Sequence, residues 1–184
     1  MKMILRSVQF AAEKHQKQRR SGGNDVPYIN HPIQVARLVA EGNGSEETIC
    51  AAFLHDVIED CSVADQEILD LFPEDPVFAS KVLGIVREVT DPVEKMPYSE
   101  IKALEIVKMK NGYSSEAKIL KIADQTCNMR DLVANPPKWG NGEEEEYIVL
   151  MKKLVDHGVG TNLMIESLFD SAYQNACKFY QLST

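Results

Sequence analysis

The chain has 184 residues, 44% of them hydrophobic and 26% charged, which is enough to bury the core of one compact domain spanning 1–184. A formal net charge of −8 argues against nucleic acid as a partner, because tracking a nucleic-acid backbone requires many clustered Lys and Arg. Cys50, Cys61, Cys127 and Cys177 form no Cys-x-x-Cys pair, charged residues break every long apolar run, and no signal-type segment follows Met1-Lys2; a cytoplasmic chain with reduced thiols and no membrane segment is expected.

In chain order, apolar residues recur at helical spacing from Ile4 and Leu5 through Val8 and Phe10 to Ala12, and the segment turns polar until Ser21-Gly22-Gly23-Asn24-Asp25 breaks it. Lys14, Lys17, Arg19 and Arg20 then offer a local basic patch for a small anionic ligand, although cations at a solvated helix end would also offset the helix dipole. Pro32 suits a first helical position, which makes His31 the expected cap of a helix running through Val35, Leu38 and Val39 to Gly42-Asn43-Gly44. Ser45 opens a third helix, with Ile49, Ala52, Phe53 and Val57 as its apolar stripe. Further helices are expected at about 65–72, 77–91, 98–111, 115–134, 143–157 and 160–181. The acidic run Glu143 to Glu146 reads as a solvated helix start. With no sustained alternation and no repeat, the pattern predicts an all-α bundle of many short helices.

Chemistry concentrates in His55-Asp56-Val57-Ile58-Glu59-Asp60. On a continuous helix His55 stacks with Glu59 and Asp56 with Asp60, so four polar groups share one side. Burying such a side without partners is costly, and a divalent cation would pair with the carboxylates and take a neutral imidazole as ligand. A His-Asp dipeptide alone is a weak signal, so further ligands are needed. Asp124, Asn128 and Asp131 fall on one face of the helix at 115–134, opposite Ile119, Ile122 and Met129. Asp124 is the candidate for another ligand; on a surface helix it would instead simply pair with Asn128 one turn on.

Taken together, Pro27-Tyr28-Ile29-Asn30-His31-Pro32, His55-Asp56 with Glu59-Asp60, and Lys121-Ile122-Ala123-Asp124 resemble the HD superfamily. The closer likeness, from about Phe10 to Phe169, is to the hydrolase domain of RelA/SpoT proteins and the stand-alone small alarmone hydrolases. That resemblance implies a helical fold, usually one Mn²⁺, and removal of the 3′-pyrophosphate of guanosine tetra- or pentaphosphate. It implies His31, His55, Asp56 and Asp124 as metal ligands and Glu59 and Asp60 as the catalytic acidic pair, whose simpler role would be to support His55. A site of two imidazoles and two carboxylates suits Mn²⁺ and does not exclude Fe, Co or Zn. By the same resemblance Arg20, Asn128, Tyr147 and Lys102 match substrate-side positions.

Several positions depart from the family pattern. Ser21, Tyr98, Ile101 and Gln125 stand where basic residues are common, leaving Lys102 and Lys95 in the middle stretch. Losing charge-assisted phosphate contacts, each worth about 1.5–3 kcal/mol, would weaken or redirect binding. Two further readings therefore stay open: hydrolysis of another phosphorylated nucleotide, such as a dinucleotide bearing a 2′-phosphate, and an alarmone-binding module without turnover. The oligomeric state has no signature in the sequence.

Overall fold

The computed structural model describes residues 1–22, 24–91, 96–140 and 142–182; Lys95 and the side chain of Tyr98 lie outside the described residues. Among these there are ten helices: α1 Lys2–Lys14, α2 Asn30–Glu41, α3 Glu46–Leu54, α4 Val57–Cys61, α5 Asp65–Leu69, α6 Pro76–Val89, α7 Tyr98–Asn111, α8 Ser115–Ala134, α9 Glu143–Asp156 and α10 Leu163–Tyr180. Strand pairing among them is limited to one isolated antiparallel bridge, Arg19 with Pro27. The all-α expectation is met. No helix of the described residues is long and apolar enough to cross a membrane, and all four cysteines are free.

Most boundaries follow from local capping. Ser45, Asp75, Ser114 and Asn162 each accept a hydrogen bond from the backbone N–H three residues on, at 3.3, 3.0, 3.1 and 3.2 Å, satisfying one of the donors a helix start leaves unpaired. Pro76 occupies the first turn of α6, where its missing N–H costs nothing. Four glutamates open α9, favourable at the positive end of the dipole.

Two boundaries differ from expectation, and both touch the site. His31 does not cap α2: Asn30 N–H and His31 N–H bond back to Pro27 and Tyr28 carbonyls at 3.2 and 2.9 Å, so a tight turn starts the helix at Asn30. Pro32 is accommodated deeper in the first turn, where the N–H is still unneeded, and His31 points inward, 3% exposed. The second difference is that His55 and Asp56 do not lie within one helix with Glu59 and Asp60. Helix α3 ends at Leu54, Asp56 takes φ −98° and ψ −5°, and α4 resumes at Val57. This joint changes which way the following side chains face.

Helix α3 is central, packing against α1, α2, α6 and α8. Cys50, Ala51, Ala52 and Leu54 have no exposed surface, and the two alanines let neighbouring backbones approach closely. Helix α8 runs beside α2 and α10, with Leu120, Ile122 and Met129 fully buried. Histidines on α2 and at the end of α3 thus face an aspartate on α8. Leu54→Ala, at a fully buried position immediately before His55, is expected to lower unfolding free energy by about 3 kcal/mol. Urea denaturation of the two proteins checks this.

Candidate active site

His31 from α2, His55 and Asp56 from the α3–α4 joint, and Asp124 from the middle of α8 converge on one buried point. One ligand atom each from His31, His55 and Asp56 lies within 4.8 Å of the others. His31 Nε2 is 3.1 Å from Asp124 Oδ1 and 3.7 Å from Asp56 Oδ2; His55 Nε2 is 3.0 Å from Asp56 Oδ2 and 3.9 Å from Asp124 Oδ1.

The chemistry of this donor set fits a cation. His55 Nδ1 lies 2.8 Å from the Ala52 carbonyl, so that nitrogen carries a proton and Nε2 is the atom turned toward the carboxylates. Nε2 sits 3.0 Å from Asp56 Oδ2 and 3.9 Å from Asp124 Oδ1, and the positive charge that a proton on it provides there is one that a divalent cation can supply in its place. Burial works against charge on His55, but Asp56, and then Asp124, raise it to about 9. Burial alone would also push the Asp56 carboxyl up, yet His55, His31 and the Tyr28 hydroxyl hold it well below the carboxylate range. At Asp124 the imidazoles and the Lys121 ammonium do the same against burial. His31 moves the other way, lowered by burial, which favours the neutral imidazole.

Polar neighbours fix these carboxylates. Tyr28 Oη donates to Asp56 Oδ2 at 2.7 Å, while Asn128 Nδ2 and Gln125 Nε2 donate to the two oxygens of Asp124 at 2.8 and 2.9 Å. Gln125 thus steadies the Asp124 carboxylate, and Tyr147 Oη in turn donates to Gln125 Oε1 at 3.3 Å. Arg20 lies over the Tyr28 ring at 5.3 Å and donates to Asp131 and Asn128 at 2.8 and 2.6 Å. Its loop is tied to the end of α8 by Asn135, which donates to the Ser21 carbonyl and accepts from Asn24 N–H. Gly22 is required there: φ is +134°, and a Cβ would fall 2.3 Å from the Asn135 side chain.

A cleft of about 160 Å³ opens from the convergence point, and Arg20, His31, Asp56, Glu59, Lys102, Asp124, Asn128 and Tyr147 all line it. His55 sits in contact behind them, 5% exposed. Asp60 does not line the cleft; past the joint its carboxylate accepts from Gln18 Nε2 at 2.8 Å. Glu59 does face inward, accepting from Asp91 N–H at 2.5 Å, and burial together with the charges of Asp91 and Asp56 pushes its carboxyl up to about 7. The basic patch expected near α1 is divided: Lys14 pairs with Glu67, Arg19 with Asp25 and Arg20 with Asp131.

Tyr28, Asp91, Lys121 and Met151 also line the cleft without having been assigned roles from the sequence. Tyr28 and Lys121 were visible only as neighbours of candidate ligands; Asp91 follows a helix end and carries no periodic signal. Trp139 packs edge-on against Tyr147 at 5.3 Å and borders a cavity of about 590 Å³ with Ser99, Glu143, Glu146 and Leu150. Tyr147 is the wall shared with the cleft.

A family model described as the HD domain matches residues 7–146. The guanosine-3′,5′-bis(diphosphate) 3′-pyrophosphohydrolase MESH1 of Drosophila melanogaster is 36% identical over 174 residues, covering 93% of each chain. The protein of that name from Homo sapiens is 35% identical over 166 residues, 89% of this chain and 88% of its own. A solved structure described as a metazoan ortholog of SpoT that hydrolyzes ppGpp superposes with a TM-score of 0.84 at 35% identity, covering 94% of both chains. With the HD match spanning most of the chain and the relatives aligned nearly end to end, this protein belongs to the HD-domain family.

Proposed function

We propose that the chain acts as one HD-type domain over residues 1–184, a metal-dependent phosphohydrolase that removes the 3′-pyrophosphate of guanosine tetra- and pentaphosphate. The observation carrying this reading is the buried convergence of His31, His55, Asp56 and Asp124 with Glu59 on the same cleft. These four residues would hold one divalent cation, Mn²⁺ being the best match to the mixed nitrogen and oxygen donors, with Fe, Co and Zn chemically admissible. When bound, such a cation supplies Lewis acidity that polarises the phosphoryl group and acidifies water.

The protein's own groups do the rest. Tyr28, Gln125 and Asn128 keep the Asp56 and Asp124 oxygens oriented. Glu59, with its carboxyl raised to about 7, is matched to accepting a proton from the attacking water near neutral pH and returning one to the leaving oxygen. Asp60 completes the acidic pair indirectly by fastening Gln18, whose Oε1 lies 2.6 Å from His15 Nδ1, and His15 stacks on Tyr28. Arg20, Asn128, Tyr147 and Lys102 line the cleft as the substrate contacts.

A second reading keeps this chemistry with a less highly charged phosphorylated nucleotide, such as a 2′-phosphate dinucleotide. What favours it is that Arg20, the guanidinium on the cleft, already faces the Asp131 carboxylate. A nucleotide panel with separate readouts for pyrophosphate and orthophosphate, with Mn²⁺ and with chelator, decides. Pyrophosphate from guanosine tetraphosphate is expected; orthophosphate alone from the dinucleotide supports the second reading, and tight binding without release of either identifies a non-catalytic binder.

Asp124→Ala is expected to lose bound metal, whereas Glu59→Ala retains it and loses at least roughly a hundredfold in turnover. Metal content per chain and kcat, measured on the same samples, separate the two.

The raised Glu59 carboxyl also sets two pH dependences. As a base it must be ionised, so kcat/KM should rise with pH through a limb centred near 7, and Glu59→Gln should abolish that limb. For stability the sign is opposite. The folded state holds this proton more tightly than the unfolded chain, so folding loses support as pH climbs from the ordinary glutamate value of 4.5 to about 7. Metal-free Glu59→Gln should therefore be more stable than the parent at pH 8 and level with it at pH 4, read from denaturation midpoints.

A further inference from the structure

Behind the cleft wall lies a buried charge cluster in which Lys102, one of the proposed substrate contacts, meets Glu105 and Lys121, which have no proposed role in substrate binding. Glu105, on α7, is 2% exposed and lies outside the cleft lining. Its carboxylate divides between two lysines: Oε2 accepts from Lys102 Nζ at 2.5 Å, and Oε1 pairs with Lys121 Nζ at 2.5 Å. Lys102 comes from one turn earlier on α7 and Lys121 from α8, so a single carboxylate joins cations from two helices. Both lysines line the cleft. Lys102 Nζ lies 3.9 Å from Asp91 Oδ2, and Lys121 Nζ lies 3.8 Å from Asp124 Oδ2, which sets the pair between the Glu59–Asp91 wall and the metal-binding carboxylates.

A long, flexible lysine ordinarily loses much side-chain freedom when it grips an anion. Here that freedom is already removed, because Glu105 holds both ammonium groups from behind while their other faces reach the cleft. Two fixed cations one carboxylate apart suit a ligand with several anionic oxygens on linked phosphorus atoms better than one with a single phosphate.

We propose that Glu105 is a positioning residue that locks Lys102 and Lys121 into a two-cation clamp for the pyrophosphate group of the substrate. The inference deepens the phosphohydrolase reading and rests on it for the identity of the substrate, but the clamp has its own ligand, inorganic pyrophosphate. Glu105→Gln keeps the shape and presents an amide N–H₂ to one of the two ammonium groups, so the clamp should open. Loss of one charge-assisted phosphate contact corresponds to roughly a tenfold or greater weakening.

The test uses Mn²⁺-loaded protein, with metal content measured for every variant, and reads calorimetric Kd for pyrophosphate and orthophosphate beside KM and kcat for guanosine tetraphosphate. Glu105→Gln should weaken pyrophosphate and raise KM by roughly tenfold, with orthophosphate Kd and kcat changing much less. Lys102→Gln should also weaken pyrophosphate, and the double variant should lose less than the two single losses combined, because Glu105 acts partly through Lys102. Unchanged or tighter pyrophosphate binding in folded Glu105→Gln, or additive losses in the double variant, would overturn the clamp. Should Glu105→Gln fail to fold, Lys102→Gln with unaltered pyrophosphate affinity overturns it equally. If the wild type hydrolyses nothing while Glu105→Gln still loses pyrophosphate affinity, the activity reading fails and the clamp stands.

Discussion

Everything in this molecule's site depends on bringing two carboxylates, Asp56 and Asp124, out of water and against two imidazoles. Either carboxylate buried alone would be driven to take up a proton. The histidines, the Tyr28 hydroxyl and two side-chain amides prevent this, and the remaining imbalance of acceptors is what a divalent cation answers. Folding supplies the geometry by crossing α2, the end of α3 and the middle of α8, so the converging imidazoles and carboxylates come from three sections of chain held by one apolar cluster. No single helix could present them at these distances.

The same constraint governs the cleft wall. Among the described lining groups, the cations do not stand as a basic patch awaiting an anion; Arg20 is braced by Asp131, and Lys102 and Lys121 by Glu105. Such bracing reduces the positive potential offered to a polyanion but also removes the cost of ordering long side chains. The balance favours selectivity by placement over attraction by charge, consistent with a protein carrying a formal net charge of −8.

Much of this was legible in the sequence because it is local. Ser45 marks a helix start by a hydrogen bond spanning three residues, and the buried stripes of α3 and α8 repeat at helical spacing. His55, Asp56 and Asp124 stand out because polar groups gathered on one side of a helix demand partners once that side is buried. What the sequence hid is set by dihedrals or by distant pairing. The break between α3 and α4 at His55 and Asp56 is one such feature, and Glu59 facing the cleft while Asp60 holds Gln18 is another; a periodicity argument on a continuous helix contains neither. Likewise Glu105 meets Lys121 across two helices, and Arg20 meets Asp131 from 111 residues away. Lys121 was visible as part of a motif; its function becomes apparent only through Glu105.

Trp139 adds an optical property to this arrangement. It is the chain's one tryptophan, 37% exposed, with its ring against Tyr147, which in turn reaches Gln125 beside Asp124. Emission from the indole depends on its solvent contact and on the ring packed against it. The protein therefore carries a native fluorophore three contacts from Asp124 of its candidate metal centre, with no attached label needed to make that region visible to light.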